Sequence, residues 1–131
     1  MLMEYVRVSK QARDQLINLK RKTRIENWNV LCRWAFCLSL ADSSPPREQK
    51  LVTDSSIEMS WRTFGGENEE IYEALLRQRC MESGLALTDQ NLTQQFRLHL
   101  HRGISLLAGE KDLNSLEKLV RKALVAGEQK R

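Results

Sequence analysis

Proline and glycine are scarce in this chain, two and six among 131 residues, and aromatic residues make up only 6%. So few breakers exclude a collagen-like or low-complexity chain, and no internal period marks a repeat array. Cysteine is scarce as well. Cys32, Cys37 and Cys80 are an odd number without framework spacing, which excludes a disulfide scaffold and points to reduced thiols. Long apolar runs are missing too. The stretch Trp34–Ala41 is bounded by Arg33 and Asp42, far short of the roughly 20 residues a membrane span needs. The opening MLMEYVRV lacks the basic, apolar and cleavage regions of a secretory signal. A soluble, cytoplasmic protein is expected.

What is present is 41% hydrophobic and 29% charged residues, enough for one folded domain over residues 1–131 with a real core. The net charge is +4, and it is unevenly placed. Between Tyr5 and Trp34 lie eight basic residues (Arg7, Lys10, Arg13, Lys20, Arg21, Lys22, Arg24, Arg33) and two acids, Asp14 and Glu26. That stretch carries 8 − 2 = +6, and the remainder 4 − 6 = −2. A positive field confined to the first quarter of a chain points to an anionic partner.

Glu4–Ser9 alternates polar and apolar residues, with Val6 and Val8 on one side and Tyr5 and Arg7 on the other, as a half-buried strand does. Ser9 can cap a helix over Lys10–Arg24, in which Ala12, Leu16, Leu19 and Thr23 form a narrow core stripe. From Asn27 to Ala41 a second helix is apolar on nearly every side, with Arg33 its only charge. Such a helix must be deeply buried or shared between subunits. The tract SSPPREQ breaks the chain after it. Alternation at Ile57, Met59, Trp61 and Thr63 suggests a further short strand turning at Gly65–Gly66. Helices are then expected over Glu67–Ser83, from Thr88 or Asp89 to Leu107, and over Asp112–Val125. The fold class is mainly α: a compact domain of about five helices with a short N-terminal strand and one further short strand. Its parts are a basic strand–helix–helix segment at 4–41, a linker with the further strand at 42–66, and a helical remainder at 67–131.

A wheel turning by about 100° per residue converts the charge of the first helix into geometry. With Arg13 at zero, Lys20 and Arg24 flank it closely, the first at about −20° and the second at about +20°. Lys10 follows at about 60° and Arg21 at about 80°. The core stripe lies at about 240–300°, and Lys22 at about 180°, beside Gln11 and Gln15. Ile17 sits within the basic arc at about 40° and requires an apolar neighbour. A one-sided cationic arc costs self-repulsion, and Asp14 alone lies close enough to relieve it, so a phosphate-contacting face is the better reading. The candidate DNA-contacting residues are Arg7, Lys10, Arg13, Lys20, Arg21, Lys22 and Arg24, with Lys22 placed off the arc.

The order strand, basic helix, apolar helix over residues 4–41 resembles a ribbon-helix-helix DNA-binding module. That resemblance implies strands paired across a dimer, Tyr5 and Arg7 entering the major groove, and a phosphate at the amides of Asn27–Asn29. Over nearly the whole chain, YVRVSKQARDQLINLKRKTRIENWNVLCRWAFCLSLAD, then SPP, SWRTFGGE, YEALLRQR and HLHRGISLL, it resembles the DndE family. This is the small subunit of the bacterial DNA phosphorothioation system. The resemblance implies a non-enzymatic DNA-binding component working beside a cysteine desulfurase, a nucleotide-using sulfurtransferase-like protein and an ATPase. Together these replace a non-bridging phosphate oxygen with sulfur. It carries no catalytic motif to this chain and attributes DNA contact to surface basic residues, here those of the first helix.

Other chemistries are poorly supported. His99 and His101, two apart on a helix, point about 200° away from each other and cannot chelate one ion. Glu48–Gln49–Lys50 has the E-x-K form of some nucleases, but the form recurs at Glu128–Lys130, and no acidic cluster accompanies it. Cys32 and Cys37 read as buried structural thiols, since Arg33 is the only cation on their helix. Neither cofactor nor metal is expected. Two functions stay open: a DNA-binding accessory subunit, or a scaffold whose basic arc docks an acidic protein partner. The expected partners are double-stranded DNA, other proteins of the phosphorothioation system, and further copies of the chain in a dimer or tetramer.

Overall fold

The computed structural model describes residues 4–110. The helix expected at Asp112–Val125 lies outside the described residues. Four long helices dominate: α1 (Lys10–Thr23), α2 (Trp28–Ala41), α4 (Glu69–Glu82) and α5 (Asp89–Ala108). A five-residue helix α3 (Trp61–Gly65) and a 3-10 turn (Gly66–Asn68) precede α4. Strands β1 (Tyr5–Arg7) and β2 (Glu58–Ser60) pair antiparallel, with Tyr5 opposite Ser60 and Arg7 opposite Glu58.

That pairing corrects the ribbon-helix-helix expectation. The strand's hydrogen-bonding partner belongs to the same chain, fifty residues later, and Ser55 N–H to Val8 O (3.2 Å) and Trp61 N–H to Glu4 O (3.0 Å) extend the contact. Residues 42–66 are therefore more than a linker. The alternation read at Ile57–Thr63 holds only as far as Ser60. There the Ser60 hydroxyl accepts the Thr63 N–H (3.0 Å), capping α3 and switching the period from two to three. Trp61 and Phe64 consequently both face inward.

α2 and α5 form the centre of the core and meet closely at Ala35 and Gly103. A side-chain carbon on Gly103 would lie 1.7 Å from the Ala35 carbonyl oxygen, so only glycine allows this approach. Leu31, Cys32, Ala35 and Phe36 of α2 are fully buried, as the helix's apolar sequence requires. Phe36, Trp61, Phe64 and Phe96 pack ring on ring at centroid separations of 5.0–5.9 Å. α1 lies on α5 through the stripe foreseen from its sequence, Ala12, Leu16, Leu19 and Thr23. Burying each of the two leucines contributes roughly 1.5–3 kcal/mol.

Candidate functional site

The basic helix is fixed in place at both ends. At its start the Ser9 hydroxyl accepts the Ala12 N–H (3.1 Å), and the Ser9 N–H donates to His101 Nε2 (3.1 Å) on α5. His101 Nδ1 lies 2.7 Å from the Arg97 carbonyl and so carries the proton, a neutral ring used from both sides. At its end Arg24 takes a left-handed conformation (φ 64°), and its N–H bonds Lys20 O at 2.9 Å. The Thr23 hydroxyl closes the same turn, donating to Leu19 O (2.7 Å) and accepting the Ile25 N–H (3.2 Å). These side-chain bonds let a non-glycine residue hold the positive φ. The helix thus ends at Thr23, and the wheel position assigned to Arg24 does not apply.

The seven predicted contact residues divide into two groups. Arg7 pairs with Glu58 across the two strands, Lys10 lies 3.7 Å from Asp54, and Arg13 lies 3.2 Å from Asp14. In contrast Lys20, Arg21, Lys22 and Arg24 have no carboxylate partner among the described residues. Arg21 bonds the neutral Asn18 side chain (2.9 Å), and Lys20 lies over the ring of Trp28, 4.6 Å from its centroid. Four cations therefore gather at the last turn of α1 and the corner into α2. The negative pole of the helix dipole favours cations there, which offsets part of their mutual repulsion. Ile17, inside the arc, gains no cover and stays 42% exposed.

Arg33 belongs to the sequence's positive stretch but not to this corner. Its guanidinium bonds the Phe64 carbonyl and, at 3.4 Å, that of Thr63, tying α2 to α3. Asn29 adds a bond to the Thr63 carbonyl (3.2 Å). Neither this tie nor the seating of Lys20 on Trp28 is legible in the sequence, because both cross a chain reversal that no single-helix period records.

A second polar assembly surrounds the end of α2. Arg102 donates to Ser39 Oγ, Ser39 O and Ser44 O, each at 2.8 Å. Arg79 donates to the carbonyls of Leu40 and, at 3.1 Å, Asp42. Ser39 Oγ also meets His99 Nδ1 at 2.9 Å. Burial first, then the Arg102 and Arg79 charges, pushes His99 down to about 4. Both histidines are buried, His99 on Ser39 and His101 on Ser9, so they serve helix packing. The cysteines partly depart from expectation. Cys32 and Cys80 are buried, with burial raising Cys32 to about 12, but Cys37 is exposed. It borders an apolar cleft of about 330 Å³ with Val30, Arg33, Trp34 and Tyr72. Burial nonetheless raises the Cys37 thiol, the reverse of what a reactive thiolate needs. Glu48 and Lys50 are exposed in an irregular segment, and no cluster of metal ligands occurs among the described residues. Among the same residues, no helix is long and apolar enough to cross a membrane.

Comparison with known proteins places this arrangement. The crystal structure of DndE from Escherichia coli B7A, involved in DNA phosphorothioation modification, superposes with a TM-score of 0.69 at 26% identity. It covers 82% of this chain and 98% of that one. A glycine-to-lysine mutant of DndE superposes at 0.64 with 24% identity, over 82% and 99% of the two chains, and supports the fold alone. No curated protein gives a significant match. Residues 5–115 match the family described as DNA sulphur modification protein DndE, and the chain belongs to the DndE family.

Proposed function

We propose that this chain is a non-catalytic, DNA-binding accessory subunit of the DNA phosphorothioation machinery, working in the cytoplasm on double-stranded DNA. The observation that carries this reading is the group Lys20, Arg21, Lys22 and Arg24, exposed or half-buried and without carboxylates among the described residues. Phosphate oxygens supply the missing acceptors, and each contact releases condensed counterions. Arg7, Lys10 and Arg13 can exchange their exposed acid partners for phosphate at little cost, since surface ion pairs contribute roughly 0–1 kcal/mol. Lys10 and Arg13 share the basic arc of α1 with Lys20, and Arg7 lies on the strand that precedes it. With backbone contacts alone, binding is independent of sequence, and interruptions such as nicks are the positions where a rigid corner could add discrimination.

The reading is tested by DNA titration across salt. A log–log slope of roughly −0.9 per phosphate contact is expected, so four contacts give a slope of about −3 to −4. Flat salt dependence, or no DNA binding at low salt, would leave the scaffold reading, in which the same cations dock an acidic protein. Copies of the chain associate in this proposal, as a dimer or tetramer, because α2 keeps Val30, Trp34 and Cys37 around an apolar cleft at the surface. Light scattering giving a monomer of 15.2 kDa at micromolar concentration removes that part.

A further inference from the structure

Among the four cations at the α1–α2 corner, Lys20 differs from the rest. It is half-buried, whereas Arg21, Lys22 and Arg24 are exposed. Its ammonium sits 4.6 Å from the centroid of the Trp28 ring. Trp28 opens α2 and is itself packed against the core, so the ring is the fixed member of the pair and the lysine the adaptable one. The geometry follows from the turn. Lys20 O accepts the Arg24 N–H, the chain reverses through Arg24, and residue 28 returns beside residue 20.

An aromatic face attracts a cation through its quadrupole without using a hydrogen-bond acceptor. An ammonium has three donors and no acceptor, so a ring on one side leaves the other side free for a phosphate. A lysine already held in one place also loses less side-chain freedom on contact than a free one. We propose that Trp28 is a positioning residue that holds the Lys20 ammonium at the α1–α2 corner as a fixed contact for a DNA phosphate. This rests on the phosphate reading of the corner. It adds that the corner presents one cation seated on a core-packed ring among cations that are exposed.

The experiment titrates a labelled double-stranded oligonucleotide across a salt series with wild type, K20M, W28L and W28F. K20M should lose affinity and flatten the log–log slope by about 0.9, because a charge is gone. W28L should keep the wild-type slope yet bind roughly two- to fivefold more weakly, because the charge remains and its placement is lost. W28F, which restores a ring face, should recover most of that affinity. W28L binding as tightly as wild type, while K20M is weakened, overturns the proposal and leaves the phosphate reading standing. K20M indistinguishable from wild type overturns the phosphate contact of Lys20 and the proposal with it. Should W28L fail to fold, the Lys20 side-chain resonances of the wild-type protein decide. The ring should shift its terminal methylene protons upfield in the free protein and in the DNA complex. Loss of that shift on DNA binding means the ring releases the ammonium, and the proposal fails.

Discussion

Two of the molecule's helices end among arginines and lysines, and the two ends use them in opposite ways. At the end of α2, Arg79 and Arg102 are drawn in from α4 and α5, and their guanidinium groups are spent on the carbonyls of Ser39, Leu40, Asp42 and Ser44. These carbonyls belong to the last turn of α2 and the residues just after it, so the arginines act as caps supplied from neighbouring helices. At the end of α1 the cap is made locally, by Arg24 N–H and the Thr23 hydroxyl. The charged heads of Lys20, Arg21, Lys22 and Arg24 are then not needed for closure. Both ends gather basic side chains, at α1 from its own last turn and at α2 from the neighbouring helices. What differs is whether the backbone has already used the charge, and only the uncommitted set is available to a ligand.

The largest expected effect breaks the committed end. Arg102→Ala removes charge-assisted bonds to four acceptors, the carbonyls and hydroxyls of Ser39 and Ser44, and should destabilise the fold by about 3–4 kcal/mol. Urea unfolding measures it, and the DNA salt slope of the surviving folded protein should not change. A flattened slope would mean that Arg102 also meets DNA, and the contrast between the two ends would dissolve.

Acid should strain the committed end next. His99 is pushed down to about 4 from an ordinary value of 6.5, and burial lowers His101 as well. Between those values the unfolded chain binds protons that the folded one refuses, so stability is fully present above about pH 6.5 and falls as pH drops. For His99 the loss approaches roughly 3 kcal/mol by pH 4, at about 1.36 kcal/mol per pH unit. His101 adds to it in the same direction, since a protonated ring no longer accepts the Ser9 N–H. Asp42, held low by the Ser44 hydroxyl and amide, adds its own loss only below the ordinary carboxylate range. Thermal melts from pH 7 to 4 should show the decline. A flat profile would contradict the neutral, buried placement of both rings.

The α1 stripe is legible because a 3.6-residue period is a property of sequence alone, and Ala12, Leu16, Leu19 and Thr23 are the residues buried. The Thr88 cap and the glycine after α5 are legible for the same local reason, since caps are read from one or two residues. Trp61–Phe64 reads as strand in sequence because the alternation begun at Ile57 runs on through it, but Ser60 offers a helix cap and a single hydroxyl decides the switch. The partner of β1 is not legible, because pairing of residues about fifty apart is set by how the intervening helices α1 and α2 fold back. At the candidate site, counting charge locates the corner but does not separate used from unused cations. Arg33 and Arg24 look equivalent in sequence, yet one bonds the carbonyls of Thr63 and Phe64 and the other faces solvent.

The uncommitted end is tested by removing charge there. Changing Lys20 and Arg24 together to Ala should flatten the DNA salt slope by about two units for every sequence alike. Neither residue is in the core stripe, so stability should move by no more than about 0.5–1 kcal/mol, the scale of a helix-dipole contact. Lys22→Ala, which removes one contact of the four and lies farthest round the helix from Lys20, should flatten the slope by no more than about one unit. If it dominates instead, DNA approaches from the side of Gln11 and Gln15, and the arc is misassigned.

The smallest effect is the sharpest comparison, because it separates cap from contact at one residue. Arg24 holds a left-handed conformation (φ 64°) that glycine adopts without strain and other residues adopt at a cost of about 1 kcal/mol. Arg24→Gly keeps the backbone N–H that bonds Lys20 O, so the helix end survives while the guanidinium is lost. Greater freedom of the unfolded chain opposes the relief of strain, and a net gain of about 0.5 kcal/mol is expected. The same variant should flatten the DNA salt slope by about one unit. A protein that becomes slightly more stable and binds DNA less well shows that Arg24 is kept at a strained position for its charge. A variant that is stabilised with an unchanged slope shows instead that this cation faces solvent only, and the contact set then shrinks to Lys20, Arg21 and Lys22.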